Sequence, residues 1–309
     1  MNEILLINER GPDFWNPTLL AEKTTYAKIE NHHERAISEK EFKSSLEALK
    51  GKRILVLIHG LKNPRDKLLS SYRAAQSNVS QLSSTFDESY LNRIKRFVNG
   101  YLVFWEPDHK TPYDAVIGIS WPSFDHETYY YKAKENAKAV APKVARHLHE
   151  VASLADEVDV IAHSMGNLVL FEALTEKKET SISLNHIYSI AAAVPKNSLN
   201  SEERYGNVAN QCQKLFVLYS KNDEALAWPY YLAEAGKIAL GLEGANHKSS
   251  LLSNVTSVNC TQIINSHSDY FPNYKFYQFI EKHHNGEYSH LQEYNHLKLD
   301  DSLNMSRQV

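Results

Sequence analysis

Short continuous apolar runs alternate along this chain with longer stretches of helical periodicity. The clearest run is Arg53-Ile-Leu-Val-Leu-Ile58, bounded by Lys52 on one side and His59-Gly60 on the other. It is too short for a helix and lacks the alternation of a half-exposed strand, so it predicts a strand buried on both faces, as in a parallel sheet. Ala115 to Ile119, Val158 to Ala162, Ile187 to Ala192 and Leu215 to Tyr219 share this character, and Val255 to Thr261 reads as a last strand with alternating polar and apolar residues. Between the runs, the pattern predicts helices over Asp66 to Leu82, His126 to Leu154, Asn167 to Glu176 and Ala225 to Leu240, with a terminal helix near Tyr274 to His283. The second of these places alanines, valines and Leu148 at helical spacing. Strands alternating with helices predict a doubly wound α/β architecture with right-handed crossovers.

The two ends and one internal segment do not follow this alternation. The first fifty residues are polar, with a few short extended stretches and then a helix over Ser38 to Leu49; Ser38 and Glu41 have capping-box spacing, and Gly51 ends the helix. Ser83 to Thr111, which contains Tyr101-Leu-Val-Phe-Trp105, is longer than a simple crossover and reads as an insertion over the sheet. From Gly286 onward the chain is again polar. With no internal repeat and no low-complexity linker, a single domain is expected.

Composition narrows the function classes. Hydrophobic residues at 42% and charged residues at 23% are ordinary for a globular protein, so a folded core is expected. The net charge of -3 arises from 34 basic and 37 acidic residues spread along the chain, which leaves no footprint for a polyanion, and nucleic acid is not expected as a partner. Cys212 and Cys260 have no CxxC or Cys/His zinc spacing around them. The start, MNEILLINERG, lacks a basic n-region and a cleavage site, position 2 is Asn rather than Gly, and no eighteen apolar residues run together. A cytoplasmic protein without a membrane span is expected. The histidine pairs His32/His33, His147/His149 and His283/His284 lack the i, i+4 spacing of H-E-x-x-H, and i, i+2 residues on a helix diverge by about 200°. No catalytic metal and no cofactor are called for.

The chemistry-bearing segment is Val158-Asp-Val-Ile-Ala-His-Ser-Met-Gly-Asn-Leu-Val-Leu170, an apolar strand that runs through Ala162-His163-Ser164-Met165-Gly166 into a helix. This is the strand-turn-helix context of a nucleophile elbow. A serine hydroxyl is a weak nucleophile, so it must project from a sharp turn toward a base, and small residues two before and two after the serine permit that turn. Gly166 fills the second position and Ala162 the first, one methyl group more than G-x-S-x-G. The competing reading is that Ser164 only caps the helix that follows.

A nucleophile predicts companions. One oxyanion donor is the backbone N–H after it, here Met165, and the other comes from a loop after an earlier strand. Ile58-His59-Gly60-Leu61-Lys62-Asn63 supplies such a loop: Gly60 allows close approach of the backbone to substrate, leaving Leu61 N–H, or else that of Lys62, for the oxyanion. In the order Ser, acid, His, the acid is Asp223, beyond the strand Leu215 to Tyr219, with Glu224 in reserve. His247 and His267 both follow it, and only His267 lies after the last strand, in a polar loop before the terminal helix. Trp121, at a strand end where ligands bind in open α/β sheets, either lines the acyl pocket or packs in the core. His163 is too close in the chain to Ser164 to act as its base.

These residues resemble the α/β-hydrolases, and within them bacterial hydrolase-like proteins whose elbow reads A-H-S-M-G-N. His59-Gly60 looks like the family's oxyanion loop, Tyr113 to Pro122 like its strand ending in Ser-Trp-Pro, Asn222 to Leu226 like its acid loop, and Leu240 to Gly244 and His267 to Phe271 like the segments around its histidine. The resemblance implies an α/β-hydrolase fold, a mostly parallel sheet with helices on both faces in three layers. It implies a Ser164, Asp223, His267 triad acting on a small-molecule acyl ester, without naming a natural substrate. The corresponding organisation is a leader over residues 1–52 packing on the domain, an α/β-hydrolase catalytic domain over 53–285 and a polar tail over 286–309. Two other readings stand beside the esterase: a non-catalytic binding protein on the same fold, and an acyltransferase or thioesterase using the same triad.

Overall fold

The computed structural model describes residues 3–11, 15–30, 33–82, 97–98, 101–102, 112–175, 182–245, 251–286 and 296–299. Twelve strands appear among them: β1 Glu3–Gly11, β2 Leu19–Glu30, β3 His33–Ile37, β4 Arg53–Ile58, β5 Phe97–Val98, β6 Tyr101–Leu102, β7 Ala115–Ser120, β8 Glu157–His163, β9 Leu184–Ile190, β10 Cys212–Tyr219, β11 Val255–Asn259 and β12 His296–Lys298. The main helices are α1 Glu39–Glu47, α2 Arg65–Leu82, α3 Tyr130–Leu154, α4 Gly166–Thr175 and α5 Tyr274–His284. Ten strands form one sheet in the order β12-β11-β10-β9-β8-β4-β7-β1-β2-β3, while β5 and β6 pair only with each other. The eight from β12 to β1 are mutually parallel, and β2 turns back antiparallel to β1.

The expected doubly buried strands are visible in where alternate residues go. Ile54, Val56 and Ile58 of β4 join the core beneath α1, α3 and α4, together with Phe42, Val144 and Leu168. Leu55 and Leu57 join the opposite core, with Leu68 and Tyr72 of α2 and Phe276 and Phe279 of α5. A period-2 strand with both sets apolar belongs between two helical layers. In α3 the buried positions Ala133, Ala137, Val140, Ala141, Val144, Ala145, Leu148 and Val151 fall at three- and four-residue spacing, so one stripe faces the sheet.

In the first fifty residues, expected as a leader packing on the domain, β1, β2 and β3 extend the sheet while α1 packs against its core. β1 lies between β7 and β2, and Leu5 and Ile7 join one core while Ile4 and Leu6 join the other. The polar residues that follow, Asn8, Glu9 and Arg10, are equally buried, which the sequence pattern hides because each makes hydrogen bonds to residues far along the chain. Glu9 accepts from Lys143 Nζ at 2.9 Å, His147 Nε2 at 2.7 Å and Thr24 Oγ1 at 2.6 Å. Burial works to raise its pKa, but the bonds from His147, Thr24 and Lys143 outweigh it and hold the carboxyl below its usual range.

Two further readings change. The helix expected over Ala225 to Leu240 is instead a wide helical turn over Leu226–Tyr230 containing Pro229, a single turn over Tyr231–Ala233, and a separate short helix Leu240–Glu243. Ala235 and Gly236 have φ of +52° and +84°, where a right-handed helix cannot continue. The polar tail after Gly286 includes β12, which adds a parallel edge strand beside β11. Most of the Ser83 to Thr111 insertion, the rest of the tail apart from Leu299, Glu176 and both His32 and His247 lie outside the described residues.

Candidate active site

The sheet brings the carboxyl ends of β8, β10 and β11 to the same edge, with β9 between β8 and β10, and each is followed by one of the expected residues. Ser164 follows β8 directly with φ +55°, a left-handed conformation that costs an L-residue about 1–2 kcal/mol and here throws the side chain out of the strand-to-helix turn. The turn is tied down on several sides. Ser164 N–H donates to Ile190 O at 3.1 Å, and the buried Asn167 amide donates to Ala162 O, Ser164 O and Ile190 O at 2.8, 3.2 and 3.1 Å. Gly166 has no room for a side chain, since a Cβ there would lie 2.6 Å from His59 O and 2.7 Å from Ile58 O. Ala162, at the other small position, is fully buried in the core, so its extra methyl is accommodated.

His267 lies in the loop between β11 and α5. Its Nε2 accepts from Ser164 Oγ at 2.8 Å, and its Nδ1–H donates to Asp223 Oδ2 at 2.7 Å. The Asp223 carboxylate is almost fully buried, and its second oxygen accepts from Leu226 N–H at 3.0 Å, which fixes the plane it presents to the imidazole. Glu224, the reserve acid, points to solvent. The loop is itself fastened: Asp269 accepts from the backbone N–H groups of Asn265 and Ser266 at 2.9 and 2.8 Å, and Asn78 Nδ2 donates to Phe271 O at 3.1 Å. His163 contributes here, because its Nε2–H donates to His267 O at 2.8 Å. Burial pushes the His163 pKa down to about 3, so it remains a neutral donor in the physiological range.

The loop after β4 meets the serine from the other side. A Cβ on Gly60 would stand 2.6 Å from Ser164 Cβ and 3.0 Å from His163 O, so glycine is what allows this approach. Lys62 N–H is spent on Ser123 O at 3.3 Å. Among the described residues the N–H groups of Leu61 and Met165 have no partner.

Trp121 is fully buried and stacks on His59, with ring centroids 5.5 Å apart. Its indole N–H donates to His59 O at 2.7 Å and its backbone N–H to His59 Nε2 at 3.1 Å. Of its two sequence readings, this is the packed one: it holds up the loop that carries Gly60 and Leu61.

Sequence reasoning missed a residue beneath the same loop. Arg10, at the end of β1, donates from Nη2 to His59 Nε2 at 3.2 Å and to Asn63 O at 2.8 Å. With two donors facing Nε2, the proton of His59 sits on Nδ1, which donates to Gly60 O at 2.8 Å. Burial and the neighbouring Arg10 charge lower the His59 pKa well below its normal value and keep it neutral. Burial lowers the Arg10 pKa to about 10, which leaves it charged at neutral pH. Among the described residues no carboxylate pairs with it, and its Nε and Nη1 are unpartnered. Nothing in the sequence pointed to Arg10, because its segment read as part of a leader.

Ser164, Asp223 and His267, joined by hydrogen bonds at the carboxyl edge of the parallel sheet, all fall inside a span that matches a family model. The family model described as alpha/beta hydrolase of unknown function matches residues 34–276. The chain belongs to this family. Its α/β-hydrolase fold therefore rests on both the sheet order and the family match. No curated protein matches the chain. No helix among the described residues is long and apolar enough to cross a membrane.

Proposed function

We propose that the protein is a serine hydrolase that cleaves a carboxylic ester through Ser164, His267 and Asp223. The observation that carries this is the continuous relay from Ser164 Oγ through His267 to Asp223, with contacts of 2.8 and 2.7 Å. His267 Nε2 removes the hydroxyl proton as Ser164 attacks the carbonyl carbon, and Asp223 stabilises the imidazolium that results. The oxyanion is received by the N–H groups of Met165 and Leu61. The tetrahedral intermediate collapses as His267 protonates the leaving alcohol; water, activated by the same histidine, then hydrolyses the acyl-enzyme.

The test is labelling of the full-length protein with a fluorophosphonate, with the modified residue read by mass spectrometry. Labelling is expected at Ser164, absent in Ser164→Ala and reduced at least about 10³-fold in rate in His267→Ala. A folded wild type that stays unlabelled sinks the hydrolase reading in favour of a binding protein.

Arg10 gives a second expectation. Arg10→Met removes a desolvated charge without an anionic partner, so the unfolding temperature should hold or rise. It also frees His59 and the Gly60 loop, so Ser164 labelling should slow by about tenfold, in the usual exchange of stability against function. Thermal unfolding and labelling rate, measured on the same preparation, check both halves; a large fall in unfolding temperature would show that the two Nη2 bonds outweigh the desolvation.

A further inference from the structure

A second cluster of titratable side chains lies at the other end of β8 from Ser164. Asp159 is buried there, and its Oδ1 accepts from His186 Nδ1 and from the His186 backbone N–H, each at 2.9 Å. Its Oδ2 accepts from His284 Nε2 at 2.8 Å and from Tyr113 Oη at 2.6 Å. One ligand atom each from Asp159, His186 and His284 fall within 4.8 Å of one another. The three residues come from β8, the start of β9 and the last turn of α5, and the proposed hydrolase chemistry uses none of them.

We infer that Asp159, His186 and His284 form a binding site for a transition-metal ion of the zinc class, which joins the end of α5 to the sheet. Two imidazoles and one carboxylate are a donor set that borderline divalent cations prefer. A tetrahedral zinc ion with bonds near 2.1 Å needs ligand atoms roughly 3.4 Å apart. The contacts of 2.8 and 2.9 Å and the outer limit of 4.8 Å bracket that separation, so side-chain rotations suffice to admit the ion. Binding requires each imidazole to present a lone pair: the proton of His186 moves to Nε2 and that of His284 to Nδ1, with no net proton release from the neutral rings.

The surroundings are those of a supported ligand set. The Tyr113 phenol donates to Asp159 Oδ2 at 2.6 Å and lies 3.2 Å from His284 Nε2, so it orients the carboxylate from outside the ligand set. The His283 ring lies edge-on to that of His186, with centroids 4.4 Å apart, and packs against it from outside the ligand set. The side chains of His186 and His284 are 14% and 10% exposed, which leaves solvent access for the ion and for a water in the fourth position. Asp159 and His284 are 125 residues apart in the chain, and a metal there closes a long loop.

The experiment uses the full-length, tag-free chain after treatment with a chelator. Zn²⁺ is titrated in competition with a chromophoric chelator, Co²⁺ is followed by its visible absorption, and thermal unfolding is recorded with and without Zn²⁺. One equivalent is expected to bind, with tetrahedral Co²⁺ bands and a rise in unfolding temperature of at least about 3 °C. His284→Gln and His186→Gln, whose folding is checked by circular dichroism, should each weaken binding by about tenfold or more while Ser164 labelling stays as in wild type. Absence of a one-equivalent site in the wild type, or binding that neither variant weakens, overturns the proposal and leaves the cluster as a hydrogen-bonded network. The wild-type titration is decisive by itself if a variant fails to fold.

Discussion

Asp223→Asn should lower ester hydrolysis and fluorophosphonate labelling by on the order of 10⁴-fold while leaving the fold intact. The substitution is nearly isosteric, and Leu226 N–H can still donate to the side-chain oxygen, as it does to Asp223 Oδ1 at 3.0 Å. What changes is the partner of His267. An amide that turns its oxygen to Leu226 presents N–H groups to Nδ1, so the imidazole is stable only with its proton on Nε2, facing Ser164. In that tautomer it cannot accept the serine proton, and the carboxylate that would offset the imidazolium is gone. Kinetics and thermal unfolding on the same sample separate this from a folding defect. Activity within about tenfold of wild type would mean that Asp223 only caps the turn over Leu226–Tyr230 and that the acid, if any, lies elsewhere.

Gly60→Ala should cost about 10²–10³-fold in kcat, the range for losing one oxyanion donor. The added methyl group would stand 2.6 Å from Ser164 Cβ and 3.0 Å from His163 O, distances that neither backbone nor a strained elbow can absorb in place. The loop must draw back, and Leu61 N–H goes with it. The elbow is braced by Asn167 and by Gly166 against His59, so the loop rather than the serine is expected to move. The effect should fall on kcat more than on KM, because the oxyanion exists only beyond the ground state. An equal loss in KM alone would place the alanine in a substrate contact instead.

Among the features legible in the sequence, the parallel strands stand out. Five of them, β4, β7, β8, β9 and β10, read as largely apolar runs with no turn signal inside, and burial on both faces leaves little other composition for such strands. The elbow was legible for a related reason, since a sharp strand-to-helix turn restricts its neighbours to small residues: a Cβ on Gly166 would lie 2.6 Å from His59 O, and Ala162 is fully buried. Asp223 and His267 followed from chain order once Ser164 was chosen, and the structure brings all three within hydrogen-bond reach.

What only the tertiary structure decided are pairings between residues far apart in the chain. Glu9 and Arg10 look like surface charges in a polar leader; they are buried because Lys143 and His147 on α3, and His59 and Asn63 after β4, meet them there. Trp121 could be assigned to pocket or core only once its indole was found on His59 O. The helix expected over Ala225 to Leu240 fails where Pro229 lacks an N–H and where Ala235 and Gly236 take positive φ, and helical periodicity alone does not register either. Asp159, His186 and His284 carry no local motif at all. Local sequence determines which segments bury two faces and where a turn must be tight; which polar groups satisfy one another depends on strand order and helix docking, and these exist only once the chain has folded.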